Sequence, residues 1–202
     1  MKLTFIRDFH PYVKDQSVDI NQYAFNLVVG DNGAGKTSLM RLLEKKYLRE
    51  VRNKYYTIDD MRKQTVKKLY SEGFRIPRSP LIDNREDAYR SSLSRSSHGE
   101  AWKKQLDDLE KQMSDNMFIL MDEPETSLSI ESQIELGERL NSFRERYEQF
   151  GGMIATHSLL LIEILGGTVI HTPSLEVIEA QQYVNDKYRI IHDKRMELSL
   201  RR

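Results

Sequence analysis

The amino-acid sequence predicts an α/β protein with a mostly parallel central sheet. Strand-like and helix-like segments alternate along its 202 residues, an arrangement that joins parallel strands through helices. Two short runs, MFILM at 117–121 and GMIAT at 152–156, contain no charged residue. Strands that are buried on both faces have such runs, so these two are expected at the centre of the sheet.

The composition excludes several other classes of protein. The chain has 31 basic and 31 acidic residues, 39% hydrophobic residues and no cysteine, which fits a soluble cytoplasmic protein without disulfides or thiolate metal sites. The longest apolar run, SLLLIEILGG, is interrupted by Glu163 and is too short for a transmembrane helix. The N-terminus, MKLTFIRDFHPYVKD, carries charges where a signal peptide would need an apolar core.

The first half of the chain is expected to begin with strands and to continue with helices. LTFIRDF, SVDI and FNLVV indicate three strands, the last ending at Gly30. Apolar residues recur at helical spacing in 38–51, and IDDMRKQTVKKLY at 58–70 predicts a second, basic helix that Gly73 ends. The proline, serine and asparagine residues between 74 and 97 indicate loops.

The second half is expected to contain two amphipathic helices, short strands and a helical tail. Apolar residues at helical spacing predict one helix from Trp102 to Met113 and another from Ile130 to Tyr147, with Ser129 as the N-cap of the second. TVIH and LEVIE are predicted as short strands, and the tail from about Gln181 as a helix.

A phosphate-binding loop follows the third predicted strand. GDNGAGKT, from Gly30 to Thr37, fits the pattern GxxxxGK[ST] without a departure, between a strand and a helix. The glycines allow backbone N–H groups to turn toward phosphate oxygens, Lys36 supplies a positive charge to the β- and γ-phosphates, and the Thr37 hydroxyl is a ligand for Mg²⁺. The sequence therefore predicts that a nucleoside triphosphate binds to Asn32, Gly33, Ala34, Gly35, Lys36, Thr37 and Ser38.

Acidic residues and a histidine follow the two apolar strands. Asp122 and Glu123 come directly after MFILM, where Asp122 can reach Mg²⁺ and Glu123 can act as a general base that orients water, which favours hydrolysis over transfer to a substrate. His157 follows GMIAT in the same way and is interpreted as a sensor of the γ-phosphate. For Glu125, a structural role and a catalytic role are both open.

The segment SSHGE at 96–100 has the pattern of a helix start. Ser97 and Glu100 form an S-x-x-E capping box, and a helix N-terminus with a free hydroxyl and a glycine N–H group can bind an anion. A Ser-His-Glu catalytic triad is excluded because residues this close in sequence cannot align as nucleophile, base and orienting group. The segment is therefore either a cap or part of a phosphate site.

The order of the four motifs resembles that of ABC-type ATPases. GDNGAGKT, SSHGE, MDEPETSLS and ATHS are similar to the P-loop, the signature, the Walker B motif with D-loop, and the switch histidine of this family. SHGE, DEPETSLS and EAQQYVNDKYRIIHDKR also resemble a group of small stand-alone ABC-type ATPases. The resemblance implies one ABC-type P-loop domain over 1–202, with an antiparallel N-terminal β portion and a small lobe of helices and loops at about 44–98 between P-loop and signature.

The same resemblance implies how the site is completed. In this family two ATP molecules are held between two subunits in a head-to-tail dimer, and the signature of one subunit closes on the ATP of the other. Ser97 and Gly99 are thus expected to contact the γ-phosphate in trans. Two features depart from the family: His98 replaces a signature glycine, and the lobe between P-loop and signature lacks an obvious Q-loop. Gln64 is the one glutamine in that lobe, and because it falls within the predicted basic helix it is not expected to be a γ-phosphate ligand. Tyr12 is interpreted as a core or surface residue rather than as the ring that stacks on adenine.

The distribution of charge allows two interpretations. Residues 41–78 have twelve lysines and arginines against five acidic residues, so this segment is either a solvated surface or a basic lobe for an effector protein or nucleic acid. DEPETSLS favours a soluble ATPase of the chromosome-maintenance, recombination or defence type. The alternatives are the ATP-binding subunit of a membrane transporter, a P-loop kinase, and a protein that has lost hydrolysis.

Overall fold

The computed structural model describes residues 1–43, 56–59, 65–69, 98–112, 117–126 and 128–200. These ranges contain nine strands: β1 (Lys2–Phe5), β2 (Ser17–Asp19), β3 (Phe25–Val29), β4 (Tyr56–Asp59), β5 (Thr65–Leu69), β6 (Met117–Asp122), β7 (Gly151–Ala155), β8 (Thr168–His171) and β9 (Glu176–Glu179). They also contain five helices: α1 (Lys36–Arg41), α2 (His98–Glu110), α3 (Ile130–Arg146), α4 (Leu159–Leu165) and α5 (Ala180–Leu200).

The larger sheet has six strands in the order β5-β6-β7-β3-β8-β9. All neighbouring pairs from β5 to β8 are parallel, and β9 pairs with β8 in the antiparallel direction. Every residue of β3 and β7 is buried, as expected for strands covered on both faces. The mostly parallel α/β sheet predicted from the sequence is confirmed, with the two uncharged runs in adjacent strands.

A smaller antiparallel sheet lies at the N-terminal side of the chain, in the order β2-β1-β4. The register places Leu3 opposite both Val18 and Ile58. Leu3 and Val18 are buried in a cluster that also contains Val28 of β3, so the small sheet packs against the large one. The predicted antiparallel N-terminal portion is therefore confirmed.

The core has two clusters, one on each face of the large sheet. Alternate residues of a strand point to opposite faces, and accordingly Leu27 belongs to one cluster while Val28 belongs to the other. The first cluster receives side chains from α2, α3, α4 and α5, and the second from the small sheet and α1. The central strands are thus covered by helices on one face and by the small sheet with α1 on the other.

Two assignments from the sequence are corrected. The basic helix predicted at 58–70 is wrong, because Tyr56–Asp59 and Thr65–Leu69 are strands β4 and β5, and they pair with β1 and β6. β-branched residues such as Thr57, Ile58, Thr65 and Val66 suit strands, and pairing with an existing strand overrides weak local helix propensity. The segment at 44–98 therefore contains strands in addition to the predicted helices and loops; the loops predicted at 74–97 lie outside the described residues.

Helix α4 has no counterpart among the sequence predictions. It begins after Ser158, whose hydroxyl accepts a hydrogen bond from the Leu161 N–H group at 3.1 Å, and its C-cap is Gly166. Its sequence, LLLIEIL, is almost uniformly apolar and lacks the periodicity by which an amphipathic helix is recognised. Of the helices in the described ranges, none is long and apolar enough to cross a membrane.

An aromatic contact in the first cluster generates a stability prediction. The Phe150 ring is fully buried and meets Phe25 and Phe143 edge to face, at centroid distances of 5.9 Å and 6.0 Å. Phe150→Ala should lower the free energy of unfolding by about 3–5 kcal/mol, because it leaves a cavity and removes both ring contacts. Urea denaturation measures this, with Val177→Ala on a partly exposed strand as the control. A loss below about 1 kcal/mol would contradict the packing described.

Candidate functional site

The loop between β3 and α1 is shaped by glycines in the left-handed region. Gly35, the N-cap of α1, has a φ of 97°, and Gly33 has a φ of 81°. A Cβ atom at Gly35 would lie 2.5 Å from Pro11 Cγ and 2.9 Å from the Tyr12 hydroxyl, so a side chain is excluded there. The loop therefore depends on glycine for its conformation and for its close contact with the 11–12 segment.

Tyr12 packs against this loop and bonds to it. Its hydroxyl donates a hydrogen bond to the Gly35 carbonyl at 2.8 Å, and its ring stacks on Phe5 at 4.8 Å. The side chain is buried, and this burial raises the pKa of the phenol, so the hydroxyl remains a donor. Tyr12 is thus a core residue, as the sequence interpretation held, and its ring is not available to stack on a base.

Thr172 closes the other side of the loop, and no signal in the sequence had indicated it. Its backbone N–H and its hydroxyl both donate to the Val29 carbonyl, at 2.8 Å and 2.9 Å. A Cβ atom at Gly30 would lie 2.7 Å from the Thr172 carbonyl oxygen. Because Thr172 follows β8, the neighbour of β3, this contact fixes the start of the loop against the sheet.

Lys36 is folded into the loop. Only 5% of it is exposed, and its ammonium group donates to the carbonyl oxygens of Gly30 and Asp31 at 3.1 Å and 3.2 Å. Of the other predicted loop ligands, Asn32 and Gly33 are exposed, and Ala34, Gly35, Thr37 and Ser38 are half-buried. A buried cation thus lies under a loop whose outer residues are open to solvent.

Thr37 and Asp122 meet although they are 85 residues apart in the chain. The Thr37 hydroxyl donates to Asp122 Oδ2 at 2.9 Å. A hydroxyl and a carboxylate side by side supply the hard oxygen ligands that Mg²⁺ prefers, and Mg²⁺ commonly takes its remaining ligands from phosphates and water. The described residues contain no cluster of three or more His, Cys, Asp or Glu side chains that could hold a metal. The pair therefore fits a magnesium ion that arrives with a nucleotide.

Glu123 and His157 also lie together, at the ends of adjacent strands. His157 Nε2 is 3.3 Å from Glu123 Oε1, and both side chains are close to half exposed. Glu123 has a φ of 47°, in the left-handed region, and its backbone N–H donates to the Ala155 carbonyl at 2.8 Å. The turn after β6 is thereby fixed against β7, with a carboxylate and an imidazole facing solvent beside the loop that follows β3.

Glu125 contacts the histidine turn from a different direction. Its Oε1 accepts a hydrogen bond from the backbone N–H of His157 at 2.6 Å. On the other side of His157, the Ser158 hydroxyl donates to Gln133 Oε1 at 2.7 Å. Glu125 was left open by the sequence, and the pairing of Ser158 with Gln133 of α3 was not foreseen, because neither contact has a local pattern.

The signature segment is described in part. Helix α2 begins at His98, directly after the residue predicted as its N-cap, and Gly99 is its second residue. Ser97 lies outside the described residues, as does Gln64. The helix is held to α3 by ion pairs, in which Arg139 contacts Asp107 at 2.8 Å and Arg146 contacts Glu110 at 2.8 Å.

Comparisons with known proteins show the fold of the chain. No protein-family model matches the chain, and no curated protein matches it significantly. The chain is similar to a dimeric, post-hydrolysis structure of the ATP-binding cassette MJ0796 bound to ADP and Pi, with 14% identity, a TM-score of 0.52, and coverage of 89% of this chain and 99% of that one. It is also similar to the ADP conformation of MJ1267, an ATP-binding cassette of an ABC transporter, with 13% identity, a TM-score of 0.59, and coverage of 92% and 94%.

These similarities concern architecture, because the identities are too low to carry residue roles. The two similarities extend over 89% and 92% of this chain. The chain has the α/β fold of ABC-type ATP-binding cassettes.

Proposed function

We propose that this chain is a magnesium-dependent ATPase of the ABC type that dimerises head to tail around ATP. The observation that carries the proposal is the meeting of Glu123 with His157 beside the pair of Thr37 and Asp122. Asp122 ends β6 and Glu123 follows it, while His157 comes after β7. Thr37 lies in α1, the helix after β3. These three strands are neighbours in the sheet. Ligands of open α/β sheets bind at this carboxyl edge.

Nucleotide binding begins with an exchange of partners at Lys36. Its ammonium group is satisfied by the Gly30 and Asp31 carbonyls in the free loop, and the β- and γ-phosphate oxygens take their place when ATP binds. A charge-assisted bond to phosphate is stronger than a bond to a neutral carbonyl, so the exchange favours the bound state. The backbone N–H groups of Asn32 to Ser38 bind the remaining phosphate oxygens.

Thr37 and Asp122 are the residues that would hold Mg²⁺. When bound, the ion supplies charge neutralisation at the phosphates. The chain's own contribution is to keep the hydroxyl and the carboxylate in contact before the nucleotide arrives, so that no rearrangement of strands β3 and β6 is needed.

Hydrolysis requires a base for the attacking water. The Glu123 carboxylate orients a water molecule toward the γ-phosphorus and accepts its proton as the new P–O bond forms and ADP leaves. His157 contacts the same carboxylate and fixes its direction. Because both side chains are close to half exposed in the single chain, a partner surface is needed to exclude bulk water from them.

Dimerisation supplies that surface. The signature residues Ser97 and Gly99 of one subunit are proposed to contact the γ-phosphate on the other, from the N-terminus of α2. In support, MJ0796, whose fold this chain shares, is a dimer in its structure with ADP and Pi.

Two types of partner are considered for the proposed ATPase. The chromosome-maintenance, recombination or defence role rests on DEPETSLS and on the basic segment 41–78, most of which lies outside the described residues. The comparisons favour the alternative, the ATP-binding subunit of an ABC transporter, because MJ1267 is an ATP-binding cassette of an ABC transporter. Assays of the ATP-bound dimer with duplex DNA and with membrane fractions separate the two.

Lys36→Ala should weaken ATP binding about a hundredfold, since two charged hydrogen bonds of the kind described contribute roughly 3 kcal/mol together. Calorimetric titration with Mg²⁺ and a non-hydrolysable ATP analogue measures the change. Lys14→Ala, which removes an exposed lysine, is the control and should bind as the unmodified chain does. Unchanged affinity of Lys36→Ala would remove the loop from nucleotide binding.

Glu123→Gln should bind ATP and hydrolyse it at least about a hundredfold more slowly, because the amide cannot accept the proton. The trapped state should change from monomer to dimer when ATP and Mg²⁺ are added, as measured by light scattering on a sizing column. Glu148→Gln, at an exposed position, is the control. Turnover of Glu123→Gln close to that of the unmodified chain would exclude Glu123 as the base.

Ser97→Arg, made together with Glu123→Gln, should abolish the ATP-dependent dimer while each monomer still binds ATP. The long cation takes the place that the γ-phosphate of the other subunit needs. Light scattering and calorimetry give the two measurements. A loss of the circular dichroism signal would instead assign Ser97 to capping of α2.

A further inference from the structure

We infer that Glu125 is a positioning residue for the proposed hydrolysis: it holds the turn that carries His157 at the distance at which His157 contacts Glu123. The inference rests on the proposed function, in which Glu123 is the base. In this role Glu125 contacts neither the nucleotide nor the attacking water molecule.

The bond between Glu125 and His157 connects the two segments that follow the paired strands β6 and β7. The parallel pairing of β6 with β7 ends where Asp122 lies opposite Ala155, and the Glu123 N–H still bonds to the Ala155 carbonyl. Beyond this point the two backbones form separate turns. Glu125 Oε1 then accepts the His157 N–H at 2.6 Å, so a side chain provides the next hydrogen bond between the two segments.

The Glu125 backbone is itself fixed by the turn that contains it. The Thr126 N–H donates to the Glu123 carbonyl at 3.1 Å, and the Leu128 N–H donates to the Glu125 carbonyl at 2.9 Å. The carboxylate therefore projects from a turn whose backbone is held by hydrogen bonds. Its bond to His157 fixes the position of His157 relative to that turn. This bond is charge-assisted, which makes it short and directional.

The geometry separates Glu125 from Glu123 in function. Glu125 Oε1 is engaged with a backbone N–H group, and Oε2 is buried without a hydrogen bond to the described residues, whereas Glu123 is 42% exposed beside the His157 ring. A buried carboxylate oxygen without a partner lowers stability. Glu125 is thus poorly suited to packing alone, and within the described ranges its carboxylate bonds to the residue that faces the base.

The other flank of His157 does not depend on Glu125. Ser158 donates its hydroxyl to Gln133, and its N–H bonds to Thr156 Oγ1 at 3.0 Å. Loss of Glu125 should therefore release one side of the turn without removing it, and His157 should shift relative to Glu123. A misplacement of about 1 Å in a catalytic group can cost about a hundredfold in rate.

The test compares Glu125→Ala, Glu125→Gln and the control Glu148→Ala in the full chain. Glu125→Ala should lower kcat by about ten- to a hundredfold while the dissociation constant for ATP changes by less than about threefold. Glu125→Gln should recover most of the rate, because its amide oxygen can still accept the His157 N–H. A catalytic base would behave differently, since its glutamine variant is as inactive as its alanine variant.

A second measurement does not require turnover. The strong bond at 2.6 Å should move the amide proton of His157 downfield in the NMR spectrum, and Glu125→Ala should move this signal upfield while Glu125→Gln largely restores it. Circular dichroism establishes that each variant is folded; if Glu125→Ala does not fold, Glu125→Gln and the His157 amide signal of the unmodified chain decide.

The outcomes are distinct. Normal kcat in folded Glu125→Ala, a glutamine variant as slow as the alanine variant, or an unshifted His157 amide would each overturn the positioning role. Equal losses of kcat and of ATP affinity would overturn it in favour of a general structural effect. Absence of ATP hydrolysis in the unmodified chain, with the His157 amide responding as expected, would overturn the proposed function and leave only the structural contact.

Discussion

The parallel pairing of β6, β7 and β3 is the interaction on which the candidate site depends. Parallel neighbours end at the same edge of a sheet, so the turns after these strands are brought together whatever their separation in the chain. Thr37 and Asp122 meet across 85 residues for this reason. Burial on both faces gives these strands their stability, because helices cover one face and the small sheet with α1 covers the other. The site is thus positioned by strands that are buried on both faces.

Helix α3 links three parts of the site in one element. It begins at Ile130, shortly after the Glu123 turn, and its first turns carry Gln133, which bonds to Ser158 beside His157. Its later turns carry Arg139 and Arg146, which form ion pairs with α2. Surface ion pairs contribute little stability, and Leu106 and Leu109 supply the buried contact of α2. The second half of α2 therefore packs on the helix that also supports the histidine turn.

Some of this arrangement can be read from the sequence, and the reasons are physical. MFILM and GMIAT are visible because a strand buried on both faces has no position for a charged side chain. TVKKL was misread because an edge strand of five residues is too short to distinguish periods of 2 and 3.6, and pairing with β6 decides its conformation. LLLIEIL was missed because a helix packed on several sides loses its periodicity. The bonds of Glu125 and of Gln133 have no local pattern, since their partners are 32 and 25 residues away.

The residues that support the loop also cannot be predicted from a local sequence pattern, and they have no chemical role. Tyr12 lies 23 residues from Gly35, to which it bonds, and Thr172 lies 143 residues from Val29, the last residue before the loop. Both residues nevertheless limit where Gly35 and Gly30 can lie. The sequence motif shows which loop residues need the conformational freedom of glycine. Contacts with the surrounding fold determine which backbone conformation these residues adopt. Lys36 shows the consequence, because its ammonium group is held by two loop carbonyls whose positions these supports fix. In the proposed function, recognition of the phosphate groups is thus a property of the loop together with the strand ends around it.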